Sequence, residues 1–264
     1  KLARAKLAKV TVKIGYPDTW RDYGKLEVKK GAFLANGLAA ARFEFQRNLA
    51  KLGKPIDRAE WGMTPPTGNA YYNPSLNEIV FPAGILQPPF FNAQADDAVN
   101  YGGIGAVIGH EITHGFDDEG RNYDAHGNLN SWWTSEDSAK FTAKAQRIVE
   151  QFNGYVVLDS LHVNGELTLG ENIADLGGIS ISYEAFKRTP QGKGNEKIDG
   201  LTPDQRFFMG FATIWAGSIR PEMAAQRLIT DPHSPAKYRV NGPLSNLQEF
   251  YSAFGLKEGD ALYR

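Results

Sequence analysis

The fold is decided by residues 102–114, which read GGIGAVIGHEITH. This stretch contains the pattern His-Glu-x-x-His, formed by His110, Glu111 and His114. On a helix, residues four apart lie on the same face, so the two histidines can offer their imidazole nitrogens to one metal ion. Glu111 lies about 100° further round the helix, where it can reach a water without binding the metal. The pattern therefore indicates a metallohydrolase site with two ligands, one base and one open coordination position.

The residues before this pattern are apolar or glycine, which is not typical of an exposed helix. Ile104, Ala106, Val107 and Ile108 make the helix apolar on most sides, so we expect it to be buried. This apolar composition disfavours the alternative, a surface helix with two solvated histidines. If the helix is buried, its histidines need partners. Each glycine costs a helix about 1 kcal/mol relative to alanine. We therefore expect close packing against a second element to hold this helix in place.

Composition narrows the class of protein. The 264 residues carry a net charge of −1, which gives no electrostatic reason to expect binding to nucleic acid or an anionic membrane. No apolar run approaches the roughly 20 residues of a membrane span. The chain has no cysteine, so disulfides are excluded and a metal must be bound by histidine and carboxylate side chains. A length of 264 residues suits one large domain or two small ones.

A catalytic zinc site needs a third protein ligand, and the best candidate is Glu171. Glu171 and Asp175 stand four residues apart in the sequence ENIAD, at the start of a helix predicted for residues 171–187. One carboxylate can bind the metal while the other accepts the free N–H of a ligating histidine and fixes its tautomer. The apolar and glycine residues around them disfavour the alternative of two solvated carboxylates.

The remaining patterns predict a mainly α fold with a small antiparallel β-sheet (α+β). Further helices are predicted at residues 31–52, 134–152, from 203 onward, 221–229 and 245–254. Thr134 and Ser245 are the expected N-caps of two of them, and Thr202 with Gln205 forms a capping box. Strands are predicted at 69–72 and 78–81, and Asn164-Gly165 predicts a hairpin turn. The acidic loop 117–124 is either solvated or bonded to groups around the metal; its spacing disfavours a calcium loop.

Several blocks of the sequence, in the right order and covering nearly the whole chain, resemble the neprilysin family of zinc metallopeptidases. They are NAYY (69–72), VFPAGILQPPFF (80–91), IGHEITHGFDD (108–118), ENIAD (171–175), RPE (220–222) and DPHSPAKYR (231–239). The resemblance implies a thermolysin-like zincin catalytic domain with one zinc ion per chain. The absence of cysteine is more similar to the bacterial oligopeptidase members than to the disulfide-bonded animal ectoenzymes.

The resemblance also implies a role for each matching residue. Zinc would be held by His110, His114 and Glu171, with Asp175 behind them. Glu111 would be the base and later the proton donor, and His233 would stabilise the transition-state oxyanion. Substrate would be bound by an edge strand at Asn69 and Ala70, by Arg239 on a backbone carbonyl, and by an apolar pocket for the residue after the cut. That pocket would be lined by Ile85, Phe90, Val107, Ile214 and Trp215, for which plain core packing is the alternative.

These observations predict a zinc endopeptidase or oligopeptidase. It would cut short peptides on the amino side of large apolar residues, through attack of a zinc-bound water that Glu111 activates. An aminopeptidase is disfavoured because no Gly-x-Met-x-Asn block is present. Intact Glu111, His233 and Arg239 disfavour a zinc-bearing binding module or a vestigial subunit.

The resemblance further implies that this chain is the catalytic part of a longer two-lobed protein. Family members are more than twice as long, with a helical N-terminal lobe that encloses the site. We therefore expect that lobe as a partner of residues 1–264, and a C-terminal tail that extends a little beyond Arg264. An extracytoplasmic compartment is favoured, with the bacterial cytoplasm as the alternative.

Overall fold

The computed structural model describes all 264 residues, which divide into two compact units. The larger unit comprises residues 1–15 and 65–264, and the smaller one comprises residues 16–64. Every residue that the sequence patterns assign to the site lies in the larger unit. None of the helices combines the length and the apolar composition that a membrane span requires.

The chain is mostly helical, with short strands. The helices are α1 (Leu2–Leu7), α2 (Phe33–Leu49), α3 (Asp97–Asn100), α4 (Ala106–His114), α5 (Ser135–Asn153), α6 (Leu169–Phe186), α7 (Pro190–Lys193), α8 (Pro203–Ile214), α9 (Pro221–Thr230), α10 (Ala236–Leu244) and α11 (Gln248–Phe254). The strands are β1 (Thr11–Gly15), β2 (Tyr71–Asn73), β3 (Glu78–Pro82), β4 (Val156–Leu158) and β5 (Leu161–His162). The predicted fold class, mainly α with a small sheet, is confirmed.

Helices α4 and α6 pack against each other in the larger unit; α4 carries His-Glu-x-x-His, and α6 carries ENIAD. Their backbones touch where Gly109 faces Gly178: a methyl group on Gly109 would lie 2.5 Å from the carbonyl oxygen of Gly178. A methyl group on Gly178 would lie 2.6 Å from the carbonyl oxygen of Ala106 in α4. The glycines that weaken helix propensity therefore permit this close approach, and the predicted close packing is confirmed.

A wide helical turn of π type, Tyr101–Gly105, joins α3 to α4. Its glycines also meet neighbouring backbone: a methyl group on Gly102 would lie 2.1 Å from the carbonyl oxygen of Phe207 in α8. The face of α8 that packs here belongs to the main core, where Phe186, Phe207 and Phe211 are almost completely buried. The metal-binding helix is thus fixed on both sides by packed elements.

The three-stranded sheet has the order β1-β3-β2, and all five residues of its central strand β3 are buried. The predicted pair, β2 and β3, is antiparallel, with Tyr71 opposite Val80. Strand β1 was not predicted; it runs parallel to β3, with Thr11 opposite Glu78. The sheet is therefore mixed rather than purely antiparallel. Parallel pairing across more than sixty residues leaves no turn signal in the sequence.

Helix caps at two predicted positions are confirmed. The Thr134 hydroxyl accepts the N–H of Asp137 at 3.1 Å and starts α5. Thr202 and Gln205 form both bonds of the capping box that starts α8.

Two local predictions are wrong. Asn164-Gly165 is not a hairpin turn: the hairpin is formed by β4 and β5, with Val156 opposite His162. The Asn164 side chain instead accepts the N–H groups of Glu166 and Leu167, at 3.1 and 3.0 Å, and leads the chain into α6.

Ser245 does not cap the last helix. The unpredicted helix α10 runs through Pro243 to Leu244 and leaves Ser245 as its C-cap. Its hydroxyl donates to the carbonyl of Gly242, and α11 begins only at Gln248. Pro243 signals a helix break in the sequence, but it lies in the last turn of α10.

The smaller unit is organised along α2. The predicted apolar stripe is present, but none of the 17 residues of α2 is buried, and Phe33 is 93% exposed. Glu44 and Glu60 form ion pairs with Arg47, at 2.9 and 2.6 Å.

Candidate active site

Three side chains from α4 and α6 meet at one point. The Nε2 atoms of His110 and His114 are 3.0 Å apart, and they lie 3.2 and 3.6 Å from the two carboxylate oxygens of Glu171. Zinc–ligand bonds of about 2.0–2.1 Å in a tetrahedral site place ligand atoms about 3.3 Å apart. The donor set, two imidazoles and one carboxylate, and its spacing therefore fit a zinc ion.

The other ring nitrogen of each histidine is bound by a carboxylate. His110 Nδ1 donates to Asp175 at 2.8 Å, and His114 Nδ1 donates to Asp117 at 2.7 Å. A proton held on Nδ1 leaves the lone pair of Nε2 directed at the shared point. The histidines are therefore oriented and fixed in the tautomer that a metal requires.

Asp117 was not singled out from the sequence, although its loop was expected to be either solvated or bonded near the metal. It is 5% exposed, and its second oxygen accepts the N–H groups of Glu119 and Gly120 at 3.0 and 2.7 Å. The available signal was its position three residues after His114, which places it one helical turn further along.

Opposing effects set the charges of the cluster. Burial would lower the pKa of His110, but hydrogen bonds to Asp175 and Glu171 outweigh it and raise this pKa to about 10. Burial would raise the pKa of Glu171, but His110, His114 and Arg239 lower it to about 2. The pKa of Asp175 is likewise held well below its usual range, because the charge of Arg239 and the bond from His110 outweigh burial. Both carboxylates are thus ionised, and a metal ion that binds at Nε2 of His110 would displace the proton that the raised pKa retains there.

Glu111 lies beside the cluster but is not part of it. It is only 5% exposed, and burial raises the pKa of its carboxyl group, against the opposing charges of His110 and His114. A carboxylate with a raised pKa is a better proton acceptor near neutral pH. Its surroundings therefore suit the base that the sequence pattern predicts.

His233 reaches the cluster from the loop between α9 and α10. Its Nε2 is 3.3 Å from a carboxylate oxygen of Glu171, and its Nδ1 donates to Asp231 at 2.7 Å. With its side chain 45% exposed, it faces the open side of the site.

Arg239 is bound more extensively than the sequence indicated. Its Nε and Nη2 donate to the two oxygens of Asp175, both at 2.7 Å, and Nη2 is 3.3 Å from Glu171. The guanidinium carbon lies 3.9 Å from the ring centre of Trp215. Arg239 therefore orients the carboxylate that orients His110, and only Nη1 is left to bind a substrate.

All the residues that the sequence assigned to the site line one cavity of about 670 Å³. The polar ones are Asn69, His110, Glu111, His114, Glu171, Asp175, His233 and Arg239; the others are Ala70, Ile85, Phe90, Val107, Ile214 and Trp215. Ile85 and Ile214 are also buried in two different parts of the core, so packing and cavity lining are not alternatives for them. Placement in the cavity does not test the individual roles, which stay predictions.

The fold and this site define a class: metal-dependent hydrolases in which a His-Glu-x-x-His helix and a glutamate from a second helix bind zinc. The chain belongs to peptidase family M13, whose model matches residues 69–264. The expected membership of the neprilysin family is thereby confirmed, and family and donor set together identify zinc as its cofactor.

Individual relatives agree with this assignment. An endothelin-converting enzyme homolog of Locusta migratoria is 44% identical over 262 residues, which is 96% of this chain and 36% of that protein. The inhibitor complex of the Mycobacterium tuberculosis zinc metalloprotease Zmp1 matches with a TM-score of 0.96 and 51% identity, over 100% of this chain and 41% of that one. PepO from Lactobacillus rhamnosis matches with a TM-score of 0.89 and 38% identity, over 100% and 40%. The chain thus spans about a third of the length of the curated relative and two fifths of these solved chains.

Proposed function

We propose that this chain is the catalytic part of a zinc-dependent endopeptidase that hydrolyses short peptides on the amino side of large apolar residues. The observation that carries the proposal is the meeting of His110, His114 and Glu171 at one point, next to a buried Glu111 and inside a single cavity. Zinc bound there would acidify a water molecule and polarise a peptide carbonyl.

The protein's own groups then carry the proton transfers. Glu111 takes a proton from the attacking water and later delivers it to the leaving amine. His233, on the open side of the cluster, donates a hydrogen bond to the oxyanion that develops on the substrate carbonyl; such a donor is typically worth about 3–4 kcal/mol. Asp231 holds the imidazole of His233 through Nδ1, which directs Nε2 into the cavity.

Substrate binding uses the rim of the same cavity. Asn69 and Ala70 precede β2, which is an edge strand of the three-stranded sheet. An extended peptide can add to such an edge through main-chain hydrogen bonds. The Nη1 group of Arg239 is the free donor for a substrate carbonyl beyond the cut.

The preference for large apolar residues is supported by the lining of the cavity close to the metal cluster. Phe90 and Val107 pack against both parts of the core, Ile214 and Trp215 belong to one of them, and all four line the cavity. A largely apolar pocket discriminates against a charged side chain, which would lose its hydration there.

We also propose that the remainder of a longer chain, as in the relatives, covers the cavity and limits access to short peptides. Support for a covering segment comes from the longer relatives, and the exposed apolar side chains of α2 offer that segment a separate surface. The test adds the N-terminal portion in trans to residues 1–264. Size-exclusion chromatography and cleavage assays should then show a complex that cuts short peptides and leaves folded proteins intact; no change in either would contradict this part.

The main proposal is tested with quenched fluorescent peptides that differ only in the residue after the intended cut. Peptides with Phe or Leu there should be cleaved, and peptides with Asp should not, with mass spectrometry locating the cut. Activity should disappear with phenanthroline, persist with its non-chelating isomer, and return with zinc. Cleavage that is insensitive to the chelator, or no cleavage of any peptide by the full-length protein, would refute the proposal.

A further inference from the structure

Lys6, in the short helix α1, is a buried lysine far from the site in sequence. It is 1% exposed, and its ammonium group donates three hydrogen bonds, to the carbonyl oxygens of Gly115, Gly120 and Tyr123, at 2.6, 2.7 and 2.8 Å. An ammonium group has three N–H donors, so every one of them is used. A buried lysine satisfied in this way, by backbone alone, fixes the path of the chain that supplies the carbonyls.

The three carbonyls belong to the loop that follows the metal-binding helix. Gly115 is the C-cap of α4, and Gly120 begins the short 3-10 turn that ends before Tyr123. A positive charge at a helix C-terminus is favourable because it neutralises the unpaired carbonyls there. The rings of Tyr72 and Phe116, at 5.8 and 5.5 Å, add cation–π attraction and cover the ammonium group.

The same loop carries Asp117, which bonds to the ligand histidine. One oxygen of Asp117 accepts the N–H of Gly120, while the carbonyl of Gly120 accepts from Lys6. The other oxygen accepts from Nδ1 of His114. Lys6 is therefore linked to His114 through Gly120 and Asp117: Lys6 holds the carbonyl of Gly120, and the N–H of the same residue holds the carboxylate of Asp117, which accepts from His114.

The backbone of Lys6 is itself anchored. Asn77 donates to the carbonyl oxygen of Lys6 at 3.1 Å and to that of Ala125, just beyond the loop, at 3.3 Å. Tyr72 in turn donates to the Asn77 side chain at 3.0 Å. These bonds hold the backbone of Lys6 in place. Its ammonium group therefore keeps its position and would not move along with the loop 115–123 if that loop shifted. Burial lowers the pKa of Lys6 to about 8, while the nearby charges of Asp117 and Asp124 act in the opposite direction.

We propose that Lys6 is a positioning residue of the zinc site: it fixes the loop 115–123 so that Asp117 holds His114 in the tautomer and orientation that bind zinc. Lys6 touches neither zinc nor substrate; it acts through the backbone of the loop, from which Asp117 bonds to His114. The inference builds on the zinc site of the proposed function.

The test is the zinc affinity of the full-length protein, measured by competition with a chromophoric chelator. In Lys6→Met, which keeps the length of the side chain but removes the ammonium group, affinity should fall about 10–100-fold, the usual effect of losing a partner behind a ligand. In Asp117→Asn the zinc affinity should fall by a similar factor. Because both act through His114, the double variant should lose little more than either single one.

A matched control is Lys9→Met, which removes an ammonium group three residues further along the chain. The partner of Lys9 is the exposed His126, whose Nε2 lies 2.9 Å from the ammonium nitrogen. Its zinc affinity should equal that of the unaltered protein. Lys6→Gln keeps a shorter donor, and serves if Lys6→Met does not fold; its affinity should fall between those of the unaltered protein and Asp117→Asn.

A purely structural role predicts a different result. If Lys6→Met, or Lys6→Gln in its place, lowers the melting temperature of the metal-free protein but leaves zinc affinity unchanged, the inference is overturned. If the double variant loses zinc affinity by the product of the two single losses, the inference is also overturned, since Lys6 and Asp117 would then act independently. An unaltered protein that binds no zinc would refute the proposed function itself, which separates the two failures.

Discussion

At the scale of single residues, the proposed function assigns metal binding and proton transfer to different side chains. Glu111 is not among the side chains whose ligand atoms converge, so its charge is free for the reaction. Glu111→Gln should keep zinc and the fold, because the amide has nearly the same shape, but should lose at least about 100-fold in kcat, the range of general base catalysis. Metal analysis and peptide cleavage on one sample check this. Zinc loss in the variant would mean that Glu111 is a ligand.

At the scale of elements, a buried hydrogen bond joins the loop that carries His233 to α6, the helix that carries Glu171. Ser234 donates to Asn172 at 2.8 Å, and both side chains are almost fully buried. Ser234→Ala should let His233 drift, and a shift of about 1 Å can cost about 100-fold in rate. We expect kcat to fall about 10–100-fold, with KM and zinc content unchanged, because the proposed role of His233 is confined to the transition state.

Ser252→Ala is the control for the loss of a serine hydroxyl. Ser252 lies in α11, and its hydroxyl donates only to a carbonyl of the same helix, at 2.9 Å. It should leave kcat unchanged. A Ser234→Ala variant with the kcat of the unaltered protein, or with a loss shared equally by Ser252→Ala, would show that the loop is held by other contacts.

The contact between α4 and α6 gives a second prediction at this scale. In Gly178→Ala the new methyl group would lie 2.6 Å from the backbone nitrogen of His110, and only a separation of the helices relieves this. Overpacking of this kind typically costs about 1–3 kcal/mol. We expect a lower melting temperature and weaker zinc binding, because the two helices carry the ligands. Unfolding followed by circular dichroism, with and without zinc, measures both.

Gly37→Ala provides the opposite case. Gly37 lies in the middle of α2, and nothing lies within 4 Å of the added methyl group. Alanine should therefore stabilise that helix by up to about 1 kcal/mol. If Gly178→Ala were equally harmless, the close contact between α4 and α6 would not be needed for the fold.

At the scale of the whole molecule, zinc links two helices that are about sixty residues apart in sequence. An ion that binds only the folded chain stabilises it by about 4 kcal/mol at a free concentration a thousand times its Kd. Removing zinc should therefore lower the melting temperature of the unit formed by residues 1–15 and 65–264, and adding zinc back should restore it. A melting temperature that is insensitive to zinc would place the ion outside the folded structure.

Much of the site could be predicted from the sequence, because its strongest signals are local. His110 and His114 share a face by helical periodicity, and Glu171 and Asp175 do so in the same way. Thr134 and Thr202 cap helices through bonds that span three residues. A pattern within one or two helical turns needs no knowledge of the rest of the chain, so the sequence by itself predicted the three candidate ligands, the candidate base and the two helices that carry them.

Only the tertiary structure decided which distant groups meet. Arg239 bonds Asp175 from 64 residues away, Ser234 bonds Asn172 from 62, and Lys6 reaches Gly115 from 109. The parallel pairing of β1 with β3, and the cavity that joins two parts of the core, are of the same kind. A polar side chain specifies that it needs a partner when buried, but not which partner; that choice belongs to the path of the whole backbone.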